Sequence, residues 1–489
     1  RLASDVLDGE GRRLRAPPAF VGILNPMVPF LSGLKGVREK ITDKFGIRFE
    51  PWPIFIFGLL LLANAFLWMP AVVSSALSMA LFLAPLWLPF LLVGGAWAMW
   101  YVFKRSEFIA NQKYILLEIK PPRNLAKTPL AMETFLSALH LTGGESTWYQ
   151  RFKGGIRPYW SLELVSFEGQ VHFYIWGRAN LRRIVESQLY AQYPGVQIVE
   201  APDYTRLISA RPEEWFVWGC DFKATNKEPL PIKTYVEYGL DKVQKEPEQV
   251  DPLANLVEFM GSVGKGEQLW LQFVIRAHRG ERYGTTPGGV TSTKRNEENK
   301  PYTWRDEGIE LIEEIRRKTR DPYIDPVTGE ERPGFPNPTK GQAEKMAAID
   351  RNTSKLAFDT GVRGIYLARP DKIHSPSISH LIALFKPFST EGWNGINSTA
   401  WMKRFDDYPW EFGVEKRKNL YRQKLIEAYR RRRFFYDPFF EGGISANETM
   451  ILSIEELATV FHIPSRAVET PGLGRIQSAT GEAPPNLPV

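Results

Sequence analysis

The most pronounced pattern in this chain is an apolar run from Pro51 to Phe103 that contains no Asp, Glu, Lys, Arg or His. The sequence on both sides mixes charged and apolar residues, as water-soluble proteins do. A helix that crosses a membrane needs about 20 apolar residues. The run therefore predicts a transmembrane helical hairpin, with spans near Trp52–Pro70 and Leu77–Phe103 and an outer connection near Pro70–Ser75.

Basic residues flank the apolar run on both sides. Those before it are Lys35, Arg38, Lys40, Lys44 and Arg48, and those after it are Lys104, Arg105 and Lys113. Segments rich in Lys and Arg stay on the cytoplasmic side of a membrane. We therefore expect the cytoplasmic (inner) membrane as the location, with residues 1–50 as a juxtamembrane segment, 51–104 in the membrane and the bulk of the chain in the cytoplasm.

Strand and helix patterns alternate in the sequence that follows the membrane segment. Strand patterns occupy Lys113–Lys120, Ser161–Ser166, Gln170–Trp176 and Val196–Glu200. Apolar residues at helical spacing lie in Met132–Leu139 and Leu181–Leu189. The order β-α-β-β-α-β is that of the ferredoxin-like fold. Residues 105–205 are therefore predicted to form a ferredoxin-like domain of the α+β class.

A second round of this pattern follows in residues 206–390. Strand patterns lie at Ile232–Tyr238, Gln268–Arg276 and Val362–Ala368, and helix patterns lie at Pro252–Ser262 and Gly341–Phe358. The sequence between residues 279 and 340 is polar and rich in Gly and Pro, with one helix pattern at Trp304–Lys318. We interpret it as an insertion in a second, tandem ferredoxin-like domain.

The C-terminal part is predicted to contain a basic helical region, 391–450, and a linker, 451–489. The basic region carries one long helix, from about Val414 to Arg432. In the linker, Ser453 and Glu456 form a capping-box pattern that opens a short helix. Several prolines then predict a semi-extended strap: Pro464, Pro471, Pro484, Pro485 and Pro488.

Charge is concentrated near the end of the basic region. Residues 401–440 hold eleven Lys or Arg against six Asp or Glu, within a chain of formal net charge +7. The densest patch consists of Arg430, Arg431, Arg432, Arg433, Phe434 and Phe435. Arginines neutralise phosphates and aromatic rings stack on bases, so single-stranded DNA is one candidate ligand. Two alternatives stay open: contact with anionic lipid or a partner protein, and a purely structural helix end.

Catalytic and metal-binding patterns are not found in the sequence. The segment Gly261–Gly266 resembles a phosphate loop, but Phe259 stands where its first glycine should be and Gly266 replaces the magnesium-binding hydroxyl residue. The six histidines do not occur at metal-ligand spacing with each other or with the single cysteine, Cys220. We therefore expect a chain that is not an enzyme and uses no cofactor or metal.

Two stretches resemble a known family. KTPLAMETFLSALHLTGGESTWYQ, together with YWSLELVSFEGQVHFYIWGRANLRRIVESQLYAQYPGVQIVEAPDYT, resembles the membrane-anchored, non-catalytic N-terminal region of conjugative type IV secretion ATPases of the HerA/FtsK class. The closing stretch MILSIEELATVFHIPSRAVETPGLGRIQSATGEAPPNLP is similar to the linker that leads into the motor domain of that family.

This resemblance implies a partner and the residues that would contact it. The partner is a hexameric ATPase, either a separate polypeptide or a continuation of this one beyond Val489, and the anchored chain would itself be a homo-oligomer. The implied ATPase contacts are Leu457, Val460, Phe461, Pro464 and Pro471. We therefore expect a non-catalytic membrane platform that anchors and positions a DNA-translocating ATPase. The alternative is a membrane scaffold or receptor of a secretion or envelope assembly that has no nucleic-acid role.

Overall fold

A computed structural model describes residues 57–475, with gaps at 59, 62, 65–66, 123–124, 126, 146, 209–210, 212, 242–249, 280–301, 325–330, 400–412, 437–448 and 466–471. The helices are α1 (Pro70–Phe82), α2 (Ala84–Ala110), α3 (Leu130–Leu139), α4 (Trp148–Phe152), α5 (Arg182–Gln192), α6 (Pro252–Gly261), α7 (Trp304–Lys318), α8 (Lys340–Ser354), α9 (Ser375–Ile382), α10 (Val414–Arg430) and α11 (Ile454–Val460). The strands are β1 (Tyr114–Lys120), β2 (Tyr159–Phe167), β3 (Gln170–Arg178), β4 (Gln197–Ala201), β5 (Phe216–Ala224), β6 (Glu267–Ala277), β7 (Arg320–Ile324), β8 (Glu331–Pro336), β9 (Ala357–Ala368), β10 (Ile396–Ser398) and β11 (Met450–Ser453). The chain is therefore an α+β protein.

Most of the described residues of the apolar segment are helical. Among the described residues, α2 is the one helix that is long and apolar enough to cross a membrane, judged by length and composition. The connection predicted near Pro70–Ser75 is wrong, because these residues begin α1. Pro70 occupies the first helical turn, where an amide group has no helical acceptor and a proline is tolerated. The proline therefore starts a helix instead of interrupting one.

The elements predicted between Lys113 and Glu200 are present in the predicted order. Strands β1, β2, β3 and β4 alternate with helices α3 and α5 as β-α-β-β-α-β. All the strand pairs are antiparallel, and the strands lie side by side as β2-β3-β1-β4. The β2–β3 hairpin turns at Glu168 and Gly169, which both adopt positive φ angles.

In the second half, one predicted strand is wrong. Residues 232–234 have no regular secondary structure and Tyr235–Tyr238 lie in turns, and β5 is the strand that precedes α6. The amide groups of Ile232 and Tyr235 donate to side chains of α11, Glu456 and Thr459, so they are not available to a neighbouring strand. The last predicted strand is longer than expected, since Ala357 and Phe358 belong to β9 and not to the end of α8.

A single sheet of nine strands connects the two halves. Its order is β10-β5-β9-β6-β2-β3-β1-β4, and β11 pairs with the first residues of β9. Strands β2 and β6 pair from Tyr159–Arg276 to Phe167–Gln268, which joins the halves edge to edge. The predicted domain boundary at residue 205 therefore falls within one sheet. The predicted insertion contributes α7 and the β7–β8 hairpin, which lie between β6 and α8 in the chain, while its residues 280–301 and 325–330 lie outside the described part.

One face of the sheet is covered by helices that share a single apolar core. Helices α3, α5, α6, α9 and α11 all contribute buried residues to this core. Leu457 and Val460 of α11 and the following residue, Phe461, are fully buried in it, and α11 packs against α3 and α6. The prediction that these three residues contact a separate ATPase is therefore corrected, because their side chains fill the interior of this chain.

We expect Leu457→Ala to lower the free energy of unfolding by about 2–5 kcal/mol, the usual cost of emptying a fully buried leucine position. Chemical denaturation of the purified chain would measure it. The matched control is Leu207→Ala, because Leu207 is 79 % exposed and its loss should change stability by less than about 0.5 kcal/mol. Equal stability of the two variants would contradict the interior position of Leu457.

Candidate functional site on the polar face of the sheet

A row of polar side chains crosses the second face of the sheet, opposite the apolar core. Strand pairing places its members directly opposite one another on six neighbouring strands, from β5 through β9, β6, β2 and β3 to β1. They are Asp221, Arg363, Gln272, Glu163, Tyr174 and Glu118. We call this set the polar row. Asp221, Arg363, Gln272 and Glu163 are buried, so their charges and polar atoms need partners within the protein.

The cover over the polar row is α10 together with residues 431–436. Arg432 leaves the end of α10 and points into the sheet, where only 2 % of it is exposed. Its Nε donates to Glu163 Oε1 at 3.0 Å, and its Nη1 donates to Asp203 Oδ2 at 2.6 Å. The pKa of Asp203 is lowered, since the bonds and the charge of Arg432 outweigh the effect of burial. The patch that looked solvent-facing in the sequence thus contains a buried ion pair.

The backbone of Arg432 also has an unusual conformation. Its φ angle is 49°, in the left-handed region that normally holds glycine after a helix. Arg432 N–H donates to Tyr429 O, and Arg433 N–H donates to Ala428 O, which is the hydrogen-bond pattern of a Schellman cap. A side chain in this conformation costs the backbone roughly 1 kcal/mol. The ion pair with Glu163 gives a reason for an arginine at this position.

Two tyrosines extend the network around Glu163. Tyr204 Oη donates to Glu163 Oε2 at 2.8 Å and lies 2.9 Å from Tyr429 Oη. Gln272 Nε2 donates to Glu163 Oε1 at 3.0 Å. Burial, followed by the charge of Glu163, raises the pKa of both tyrosines well above its usual value. Both hydroxyl groups therefore stay neutral donors at physiological pH.

Two further cations of the same face are paired beneath aromatic rings. Arg363 Nε donates to Asp221 Oδ1 at 2.7 Å, and the ring of Phe434 lies 4.4 Å from the Arg363 guanidinium carbon. Phe434 itself lies over Gly361, where a Cβ atom would come within 2.2 Å of the ring. Phe435 covers Arg276 in a similar way at 4.5 Å.

Arg276 belongs to a cluster at one end of the strands. Its Nη2 donates to Asp359 Oδ2 at 2.7 Å, and His278 Nδ1 lies 2.8 Å from Asp359 Oδ1. Burial alone would raise the pKa of Asp359, but Arg276 and His278 lower it well below its usual value. The carboxylate is therefore already committed to two partners.

These contacts determine which residues of the predicted nucleic-acid or lipid patch are accessible to a ligand. Arg432 and Phe434 are buried, which corrects their assignment as direct ligand contacts. Arg430 donates to the carbonyl groups of Thr205 and Ile208, and Arg431, 48 % exposed, pairs with Glu427 at the helix surface. Arg433 and Phe435 are partly buried. Within the patch, Arg432 and Phe434 therefore make internal contacts, while Arg431 stays at the surface.

A sequence signal for the buried pair exists but is easily missed. Strands β2, β6 and β9 are rich in apolar residues, and each carries a charged or amide residue near its centre: Glu163, Gln272 and Arg363. Apolar-rich strands are typical of sheets covered on both faces. A charged residue near the centre of such a strand therefore requires a partner from a neighbouring strand or a covering segment.

The described part of the second predicted contact region, residues 453–464 of the capped helix and strap, is also internal. Glu456 closes the capping box with Ser453 and accepts a hydrogen bond from Ile232 N–H at 3.0 Å. Glu455 accepts from Thr234 Oγ1 at 2.6 Å and pairs with Lys355 at 2.7 Å. Of the predicted proline contacts, Pro464 is buried and Pro471 lies outside the described residues.

The Gly261–Gly266 segment forms the turn between α6 and β6. Gly264 N–H donates to the carboxylate of Glu267 at 2.8 Å, and Gly266 N–H donates to that of Glu168 at 3.0 Å. These amide groups are occupied by the protein's own carboxylates and do not form a cradle for phosphate. Within the described ranges, no group of three or more His, Cys, Asp or Glu side chains is arranged to hold a metal ion.

Comparison with known families gives one match. A family model described as domain of unknown function DUF8128 matches residues 105–474. The matched range contains the whole nine-stranded sheet, the covering helices and the polar row. No curated protein matches the chain.

We expect Arg432→Met to lower the free energy of unfolding by about 3–5 kcal/mol, because Glu163 would be left buried without its cation. Arg431→Met is the matched control and should change stability by less than about 0.5 kcal/mol. Thermal unfolding and salt-dependent binding of single-stranded DNA should be measured on both variants. A loss of DNA affinity in Arg432→Met at unchanged stability would restore the ligand-contact interpretation.

Stability should also fall as pH rises because of Glu456. Burial, with a further effect of Glu455, raises the pKa of Glu456 from 4.5 to about 7. The folded state then binds more protons than the unfolded state between these values, so stability is greatest below about pH 4.5 and is lost as pH rises through 7. At about 1.4 kcal/mol per pKa unit, the loss is on the order of 3 kcal/mol.

Glu456→Gln should flatten this dependence, as measured by denaturation between about pH 5 and 8. Glu237, whose pKa burial raises to about 7, has the same sign and should supply the remaining slope. The slope is the informative quantity, because glutamine also loses one of the two backbone hydrogen bonds that Glu456 accepts. An unchanged slope would show that Glu456 is ionised in the folded chain.

Proposed function

Since this chain belongs to the DUF8128 family, matched from residue 105 where the apolar sequence has just ended, we propose that it is a non-catalytic platform anchored in the cytoplasmic membrane. The observation that carries the proposal is α2. This helix has 27 residues, about 40 Å at 1.5 Å per residue, and leads directly into the α+β body. Its length suffices for a hydrocarbon core of about 30 Å.

The anchor that we propose is the hairpin expected from the sequence. Its other crossing would lie in the apolar sequence from Pro51 to Leu83, which is longer than the roughly 20 residues that one span requires. Basic residues on both sides of the hairpin favour a cytoplasmic position for the body.

For the body we propose two ferredoxin-like units joined edge to edge. The order β2-β3-β1-β4, with α3 and α5 between strands, supports the first unit. The order β10-β5-β9-β6, with α6 between β5 and β6 and α9 between β9 and β10, supports the second. In this interpretation the strand order is the same in both units, and the β2–β6 pair lies between them.

The function that we propose for this platform is to position a hexameric DNA-translocating ATPase of a conjugative type IV secretion-like system. The resemblance of the segments 127–150 and 159–205 to the non-catalytic region of such ATPases supports it. The ATPase would be a separate polypeptide or a continuation of this one. The occupied amide groups of Gly264 and Gly266 support a role without nucleotide chemistry in this chain.

The alternative is a scaffold or receptor of a secretion or envelope assembly without a nucleic-acid role. One observation favours it: Arg432 and Phe434 are buried, which removes two residues from the basic and aromatic patch that was predicted to contact DNA. The two proposals share the membrane anchor and differ in the partner.

We expect the full chain to resist alkaline carbonate extraction from membranes, and a variant lacking residues 51–104 to be released.

The chain purified alone should neither bind nor hydrolyse ATP, and Lys265→Ala should change neither result. In-cell cross-linking followed by mass spectrometry should recover an ATPase with a phosphate-loop motif, in trans or in the same polypeptide. Recovery of envelope proteins without such an ATPase would favour the alternative, and carbonate release of the full chain would overturn both.

A further inference from the structure

The end of α2 is in contact with a short loop of the chain, residues 152–154. The ring of Phe152 lies between two tryptophans of the helix, 5.7 Å from Trp97 and 5.9 Å from Trp100. Both tryptophans nevertheless keep about half of their surface exposed, at 50 % and 43 %. A cluster of exposed aromatic rings of this kind marks a site of contact with a partner protein or a membrane.

Gly154 holds the loop against the helix. Its φ angle is +78°, and a Cβ atom at this position would lie 2.3 Å from the carbonyl oxygen of Lys104. Only a glycine therefore permits this approach of the two backbones. The loop meets the helix at the level of Lys104 and descends along it, so that Phe152 reaches the tryptophans.

The position of the loop along α2 gives its depth in a membrane. The uncharged residues from Ala84 to Phe103 span about 30 Å at 1.5 Å per residue, which equals the thickness of a hydrocarbon core. Lys104 then lies at the boundary, and Trp100 and Trp97 lie about 6 and 10 Å below it. A ring stacked on both tryptophans lies at the depth where interfacial aromatic residues reside, about 5–10 Å into the headgroup and acyl boundary.

The charges around the cluster favour anionic lipid. Lys104, Arg105 and Lys153 lie at or beyond the boundary, and Lys104 pairs with Glu107 at 2.7 Å. Lys104 Nζ also lies 5.1 Å from the Trp100 ring. Basic residues next to a membrane attract anionic headgroups by about 1 kcal/mol each.

We propose that loop 152–154 is a second membrane contact of this chain, in which Phe152 enters the interface of the cytoplasmic leaflet beside α2 and the basic cluster binds an anionic phospholipid. The proposal rests on the membrane anchor proposed above. It adds that part of the family-matched region, and not only the apolar hairpin, lies in the lipid.

The test uses the full chain reconstituted in vesicles of phosphatidylcholine and phosphatidylglycerol. Phe152→p-benzoylphenylalanine keeps an aromatic ring and allows photochemical cross-linking, with lipid adducts detected by mass spectrometry. Phe335→p-benzoylphenylalanine is the matched control, because Phe335 is a fully accessible phenylalanine of β8. We expect lipid adducts at 152, enriched in phosphatidylglycerol, and none at 335.

Two glycine variants test independently whether the position of the loop determines the lipid cross-link. Gly154→Ala should displace the loop and abolish most lipid adducts at 152, whereas Gly143→Ala should retain them, since a Cβ at Gly143 meets no atom within 4 Å. Lys104→Gln should remove the enrichment in phosphatidylglycerol and leave the adducts. Equal yields at 152 and 335, or full yield in Gly154→Ala, would overturn the loop contact, and adducts that show no phosphatidylglycerol enrichment would overturn the anionic-lipid assignment.

Flotation of the vesicles separates this proposal from the anchor on which it rests. A chain that floats with the vesicles but gives no lipid adduct at 152 overturns the loop contact alone. A chain that does not float overturns the anchor.

Discussion

The buried carboxylate of Glu163 is the constraint on which the rest of the body depends. It lies on a central strand, near the middle of a sheet that is covered on both faces, where an unpaired charge would cost several kcal/mol. Arg432, Tyr204, Gln272 and Ser161 supply donors to it. Two of these donors come from outside the neighbouring strands, so the sheet is complete only when the covering segments have docked.

The same constraint fixes the register of the sheet. Because side chains alternate between faces, a slip of one residue in β6 or β9 would turn Gln272 or Arg363 into the apolar core. The polar row therefore acts against misaligned pairing across the central strands. The pairing is also strongly non-local, since Glu163 and Arg432 are 269 residues apart.

Local signals in the sequence predicted most elements well. Helix α7 has the predicted bounds Trp304–Lys318, and the capping box at Ser453 starts α11 as expected. Predictions failed where a distant segment decides the local structure. Residues 232–238 alternate like a strand, but their amide groups bond to α11. Arg432 reads as part of a solvent-facing arginine run, and only the burial of Glu163 reveals its role. An apolar side chain such as Leu457 is equally compatible with a helix that packs on a partner and with one that packs within its own chain. The local sequence does not distinguish these two cases.

These corrections change what the proposed platform would present to a motor. The affinity for single-stranded DNA falls as salt rises, and the slope of log affinity against log salt concentration is about 0.7 for each phosphate that an accessible cation neutralises. An arginine committed to Glu163 cannot release counterions, and a phenylalanine committed to Arg363 cannot stack on a base. In such a platform, Arg432 and Phe434 stabilise the fold and are not available to bind DNA. The proposed role then depends on where the body is held, at the membrane through α2, more than on any contact with the transported strand.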